Sequence, residues 1–144
     1  MAKQLKAKSY KLTPQEYRAV LKDVELEEVM LEEASAKIHR DKLDKSLEIS
    51  IDEKITHEIQ GDTVLSVHHF YTLIAPPGSK KDYFLKLTCA FGLKYSTKTA
   101  LSESFIEIFK DTNIPLNTWP YFREFAQSMT QRMNIPPLTL PLRK

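Results

Sequence analysis

The side chains with the chemistry for metal ligation or nucleophilic attack are His57, His68, His69 and Cys89, and their spacing favours neither use. His68 and His69 are adjacent in a stretch that reads as a strand, so they point to opposite faces and cannot share a metal. His57 and His69 can approach each other across neighbouring strands, but two ligands fall short of a zinc site. Both therefore read as structural histidines. Cys89 lies within an alternating apolar stripe, where a buried thiol is inert. Glycines stand only at 61, 78 and 92, too few and too scattered to build a phosphate-cradling loop. No serine or cysteine has an assignable base. The expectation is a protein that is not an enzyme and uses no metal and no cofactor.

The elements that carry these residues follow from periodicity. Thr13-Pro14-Gln15-Glu16 reads as a capped helix start, and Tyr17, Val20, Leu21 and Val24 continue at helical spacing, giving a short helix near 14–22. Then the period changes to two. Val24 and Leu26 alternate, Glu27-Glu28 breaks the phase, Val29 and Leu31 resume it, and Ala34, Ala36 and Ile38 follow a second slip. A long strand with two bulges keeps all seven on one face. A helix is the competing reading, since Glu, Leu, Met and Ala favour it.

Residues 47–59 are clearer, with Leu47, Ile49, Ile51, Ile55, His57 and Ile59 on one face. Gly61-Asp62 signals a turn into a third strand, Thr63–Ile74. The loop Pro76-Pro77-Gly78-Ser79-Lys80-Lys81 leads to a fourth, in which Tyr83, Leu85, Leu87, Cys89, Phe91, Leu93 and Tyr95 form one apolar face. Such strands predict an antiparallel sheet with one wet face. Residues 97–117 read as a connector. A helix is expected over 118–133, its stripe formed by Phe122, Phe125, Ala126, Met129 and Met133. Asn134 can take the left-handed conformation that ends it, and Pro136-Pro137 prevents continuation.

One domain of 144 residues accommodates all of this. Residues 1–12 are expected to be a flexible N-terminus, 13–22 the first helix, 23–96 the sheet and 134–144 an extended tail. The fold class is α+β, a four-stranded antiparallel sheet packed with one long C-terminal helix. A net charge of +2, with acids and bases mixed along the chain, argues against nucleic acid as a partner. No apolar run approaches the ~18 residues of a membrane span, and the basic start lacks the middle region of a signal peptide. A single cysteine suits a reducing compartment, so a cytoplasmic location is expected. Glu25, Glu27, Glu28, Glu32 and Glu33 read as a solvated face or edge protection, with a docking patch for a basic partner as the alternative. The lysines at 3, 6, 8, 80 and 81 read as solubility charges.

The last third carries a recognisable pattern. Trp119-Pro120-Tyr121-Phe122-Arg123-Glu124, then Met129-Thr130-Gln131-Arg132, then Pro136-Pro137-Leu138-Thr139-Leu140, resembles the signature of the SecB family of export chaperones. The resemblance joins rare residue types at fixed separations over 119–140 and extends to strand order over most of the chain. It implies a homotetramer in which protomers join their sheets and two such pairs sandwich their helices. Its clients would be unfolded or precursor polypeptides held in apolar grooves without ATP.

Two features depart from the family pattern: the sequence stops four residues after Leu140, and its charge is slightly basic. Both count against docking on the export motor SecA. The short helix before the first strand looks like SecB-like chaperones paired with toxin–antitoxin systems. The readings are thus a general export holdase or a dedicated protector of one unstable partner, such as an antitoxin.

Holding a chain without reading its sequence calls for apolar burial, which is non-directional and scales with area. The client-binding candidates are Phe105, Phe109, Trp119, Tyr121, Phe125, Met129 and Met133. Ordinary core or subunit interface is the competing role for each.

Overall fold

A computed structural model of the chain describes residues 11–42, 48–79 and 81–143. The expectations for residues 1–10, for Leu47 and for Lys80 lie outside those described.

Helix α1, Pro14–Leu21, starts as its sequence dictates: the Thr13 side chain accepts from the Glu16 N–H, and the Glu16 carboxylate accepts from the Thr13 N–H. Four strands follow: β1 (Glu25–Ile38), β2 (Ser50–Gln60), β3 (Val64–Ala75) and β4 (Leu85–Ser96). They form one antiparallel sheet in the order β1-β4-β3-β2, so β1 and β2 are its edges. The β2–β3 turn holds Gly61 and Asp62 at φ 57° and 64°, a left-handed pair that suits glycine and tolerates aspartate.

Strand, not helix, is the outcome for β1. Its pairing with β4 slips between Leu26 and Glu28 and again between Leu31 and Glu33. These two bulges keep Leu26, Val29, Leu31, Ala34, Ala36 and Ile38 opposite Tyr95, Leu93, Phe91, Cys89, Leu87 and Leu85. Tertiary pairing thereby overrides the helical propensity of Glu, Leu and Ala.

The largest difference from the sequence reading concerns the stretch expected to be a connector. Helix α2 runs from Glu103 to Arg132, 30 residues, and takes in most of 97–117 as well as the helix expected at 118–133. Ser102 caps it by accepting from the Phe105 N–H at 3.1 Å. Pro115 and Pro120 lie inside it, where each removes a backbone donor and costs about 3 kcal/mol. Burial offsets that cost: Phe105, Ile106, Phe109, Ile114 and Phe122 are at most 1% exposed, each contributing roughly 1.5–3 kcal/mol. Asn134, at φ 59°, ends the helix in the left-handed conformation that its side chain tolerates.

α2 lies on the sheet face formed by Leu65, Val67, Tyr71, Leu73, Leu85, Leu87, Phe91, Leu93 and Tyr95. Tyr71 stacks on Phe122 at 4.5 Å between ring centroids, and Tyr95 meets Phe109 edge-on at 4.8 Å. α1 closes the start of α2, with Tyr17 stacked on Phe105 at 4.9 Å and its hydroxyl bonded to Asn113.

Candidate functional site

A helix laid on a four-stranded sheet has two flanks, and here they carry different chemistry. Glu103, Glu107, Asp111 and Pro115 recur every four residues along α2 and, with Lys110, border polar clefts against His57, Glu53 and Ile55 of β2. The imidazole of His57 meets the Glu103 carboxylate at 3.1 Å. Deeper in, His69 is wholly buried. Its Nε2 lies 2.9 Å from Glu53 and its Nδ1 2.8 Å from the Thr118 hydroxyl, which is 2.7 Å from the Tyr71 hydroxyl.

One set of protons satisfies this chain: Tyr71 donates to Thr118, Thr118 to His69 Nδ1, and His69 Nε2–H to Glu53. Burial drives the Tyr71 phenol well above its ordinary range. Burial also pushes Glu53 up, but hydrogen bonds from His69 and Arg143 outweigh it and hold the carboxyl below the ordinary range. Among the described residues, no buried side-chain polar atom lacks a partner. Nor does any group of three or more His, Cys, Asp or Glu come together to hold a metal ion among them.

The segment after α2 folds back along the helix. The Trp119 indole N–H donates to the Pro141 carbonyl at 2.8 Å, Arg123 Nε to the Leu140 carbonyl at 2.5 Å, and the Leu138 N–H to Thr130 at 2.8 Å. Leu140 is 2% exposed. Arg143 then binds Glu53 through both carboxylate oxygens, at 2.8 and 2.9 Å, with its guanidinium 5.4 Å from the centroid of the Trp119 ring. The recognisable sequence pattern thus divides by role. Trp119, Arg123 and Leu138 fasten the segment to the helix, while Pro120, Tyr121, Glu124, Pro136 and Pro137 lie at the surface.

The other flank is apolar and open. On β1, Leu26 and Leu31 belong to the core face of the sheet yet are 40% and 55% exposed. Ala34 and Ala36 on the same face are exposed too. α2 stops short of covering them. Its near wall carries Tyr121, 53% exposed, whose ring lies 6.1 Å from that of Phe91, the β4 partner of Leu31. Phe125 and Met129 continue from Tyr121 at four-residue spacing and, like Met133 beyond them, are half-buried. The result is a trough whose floor is β1, since the core-face side chains of β4 are buried, with an aromatic and methionine wall on α2.

The structure therefore separates the residues singled out from sequence. Phe105 and Phe109 are 0% and 1% exposed inside the protomer, which leaves them no surface to offer. Trp119, at 8%, is enclosed by the strap of residues 138–143. Tyr121, Phe125, Met129 and Met133 stand along the open side. Burial pushes the Cys89 thiol up to about 12, so it stays protonated and unreactive.

Sequence reasoning missed Glu53, Thr118 and Arg143, and of these only Glu53 left a trace. It interrupts the apolar phase of β2 between Ile51 and Ile55, an acid where the alternation calls for a hydrophobe.

No protein-family model matches the sequence, and no curated protein matches it. Among solved structures, the chain is similar to the SecB-like chaperone Rv1957 of Mycobacterium tuberculosis, determined in complex with a ChAD peptide from the HigA1 antitoxin, Rv1956. The TM-score is 0.71 at 17% identity, over 86% of this chain and 90% of that one. A Streptococcus agalactiae protein of unknown function aligns at TM-score 0.45 and 10% identity, over 83% of this chain and 98% of that one. The fold is thus that of a SecB-like chaperone: an α+β protomer with a four-stranded antiparallel sheet and one long helix near the end of the chain.

Proposed function

We propose that this protein is a chaperone that holds non-native polypeptides, without ATP, in the trough between β1 and α2. The observation that carries the reading is Leu31, 55% exposed on the face of the sheet that elsewhere forms the core. A protomer that leaves part of its own core face in solvent has apolar area to offer. Leu26, Leu31, Tyr121 and Phe125 would act as anchors, each worth roughly 1.5–3 kcal/mol when fully buried. A few of them offset the ordering cost of a disordered segment, on the order of 2–5 kcal/mol. Several copies in a homo-oligomer add avidity where one client spans them.

A second reading has its own support. The similar chaperone was solved holding a peptide from an antitoxin, which favours a dedicated partner of that kind over a general role in protein export. One comparison separates the two. A general holdase suppresses aggregation of several unrelated unfolded proteins at near-stoichiometric ratio without ATP, whereas a dedicated protector shields one partner only. Protection of none would sink both readings. Crosslinking of a bound client is expected to label Leu31 and Tyr121, and sedimentation to show a dimer or tetramer.

A further inference from the structure

We propose that residues 134–143 are an exchangeable strap: they fill a site on α2 suited to any extended peptide with apolar residues two apart, and their release opens that site. Every hydrogen bond described between α2 side chains and residues 138–141 goes to main chain. Thr130 accepts from the Leu138 N–H, Arg123 donates to the Leu140 carbonyl, and Trp119 donates to the Pro141 carbonyl. Main-chain contacts do not read sequence. The side chains read are Leu138, half-buried, and Leu140, 2% exposed, two apart in the sequence.

The strap is also separable. Among the described residues, its backbone–backbone hydrogen bonds to the rest of the fold stop at Ile135, whose N–H reaches the Thr130 carbonyl. Lifting residues 136–143 therefore breaks no sheet ladder and no helix ladder. Pro136, Pro137 and Pro141 restrict the segment toward extended conformations, which lowers the cost of re-docking. What fastens its far end is Arg143 on Glu53, with side chains 33% and 27% exposed. A charge pair with that much solvent access is weakened by salt, unlike the buried Leu140. Leu142, 69% exposed, adds no anchor.

The extension to clients rests on the chaperone reading: a non-native segment carrying a Leu-x-Leu spacing would displace the strap and take its place. The test uses a labelled peptide with the sequence of residues 134–144, added to the full-length protein and followed by fluorescence anisotropy. Trp119, the only tryptophan, reports strap position by its emission. Arg143→Ala is expected to bind the peptide about fivefold more tightly than the unmodified protein, because the internal competitor is loosened. Raising salt should narrow the gap. A peptide with aspartate at both leucine positions equivalent to 138 and 140 should not bind.

Should Arg143→Ala fail to fold, Arg143→Gln removes the same charge from the strap alone, keeps Glu53 in place for the peptide's own arginine, and serves the same comparison. Equal affinity for folded variant and unmodified protein, or no binding with Trp119 emission unmoved, overturns the strap. An unfolded client that binds without displacing the peptide removes the client extension and leaves the chaperone reading standing. Peptide exchange with no client binding leaves the strap standing and removes the chaperone reading together with the client extension.

Discussion

On the β2 side of α2, the sheet is closed by charge. Glu53, His69, Thr118 and Tyr71 each find a partner, and His57 meets Glu103. On the β1 side the same helix leaves Leu26, Leu31 and Tyr121 facing solvent. A buried polar network has one satisfactory arrangement, since moving any member strands the rest, and so it fixes that edge. An apolar surface has no such demand and can meet many shapes of partner. The contrast assigns stability to one flank of the helix and adaptability to the other.

That division breaks most readily at His69. Replacing it with alanine leaves the Thr118 hydroxyl and Glu53 without their shared partner and opens a void in the core. The expected loss is about 3 kcal/mol in urea-induced unfolding. A loss below roughly 1 kcal/mol would show that the β2 flank is not the rigid one.

The open flank should respond in the opposite sense. Leu31→Asp and Tyr121→Asp are each expected to weaken client binding about tenfold, near 1.4 kcal/mol, with stability changed by no more than about 0.5 kcal/mol. Isothermal titration with an unfolded client, alongside urea melts, reads both quantities. A large fall in stability with unchanged affinity would make the trough a structural surface.

Acid sharpens the contrast further. Glu53 gives up its proton more readily folded than unfolded, because His69 and Arg143 outweigh its burial. Its contribution is therefore complete above the ordinary carboxylate range, about 4.3 for glutamate, and fades as pH falls through the lower folded value. Glu53→Gln should cost about 1 kcal/mol at neutral pH, and the gap between it and the unmodified protein should shrink in melts below about pH 4.

The smallest expected effect lies on the outer face of the sheet. The bulged Glu32 lays its side chain over Gly92 to reach His68 at 2.7 Å, and an added Cβ at Gly92 would sit 2.7 Å from the Glu32 carboxyl carbon. Because that side chain is flexible, Gly92→Ala should cost under about 1 kcal/mol. It should release His68, visible as a change in its imidazole NMR shifts, and leave both flanks of α2 untouched.

Local rules made much of the fold legible. Thr13-Pro14-Gln15-Glu16 announced α1 because a capping box is satisfied within four residues. Phase slips at Glu27-Glu28 and before Ala34 announced the β1 bulges because alternation is a property of the strand alone. The first half of α2, read from sequence as a connector over 97–117, was not legible because Pro115 is locally unfavourable in a helix and only burial of its neighbours in the core offsets it.

The site was less legible than the fold. Residue types pointed to apolar holding, yet they could not say that Phe105 and Phe109 are sealed while Tyr121 is open, since all three are aromatics on one helix. Nor does a lone Arg143 reveal its partner 90 residues earlier in the chain. Periodicity decided which residues share a face of an element. Only the placement of α2 across the sheet decided which part of that face stays wet, because coverage depends on where one finite helix lies and not on any local pattern.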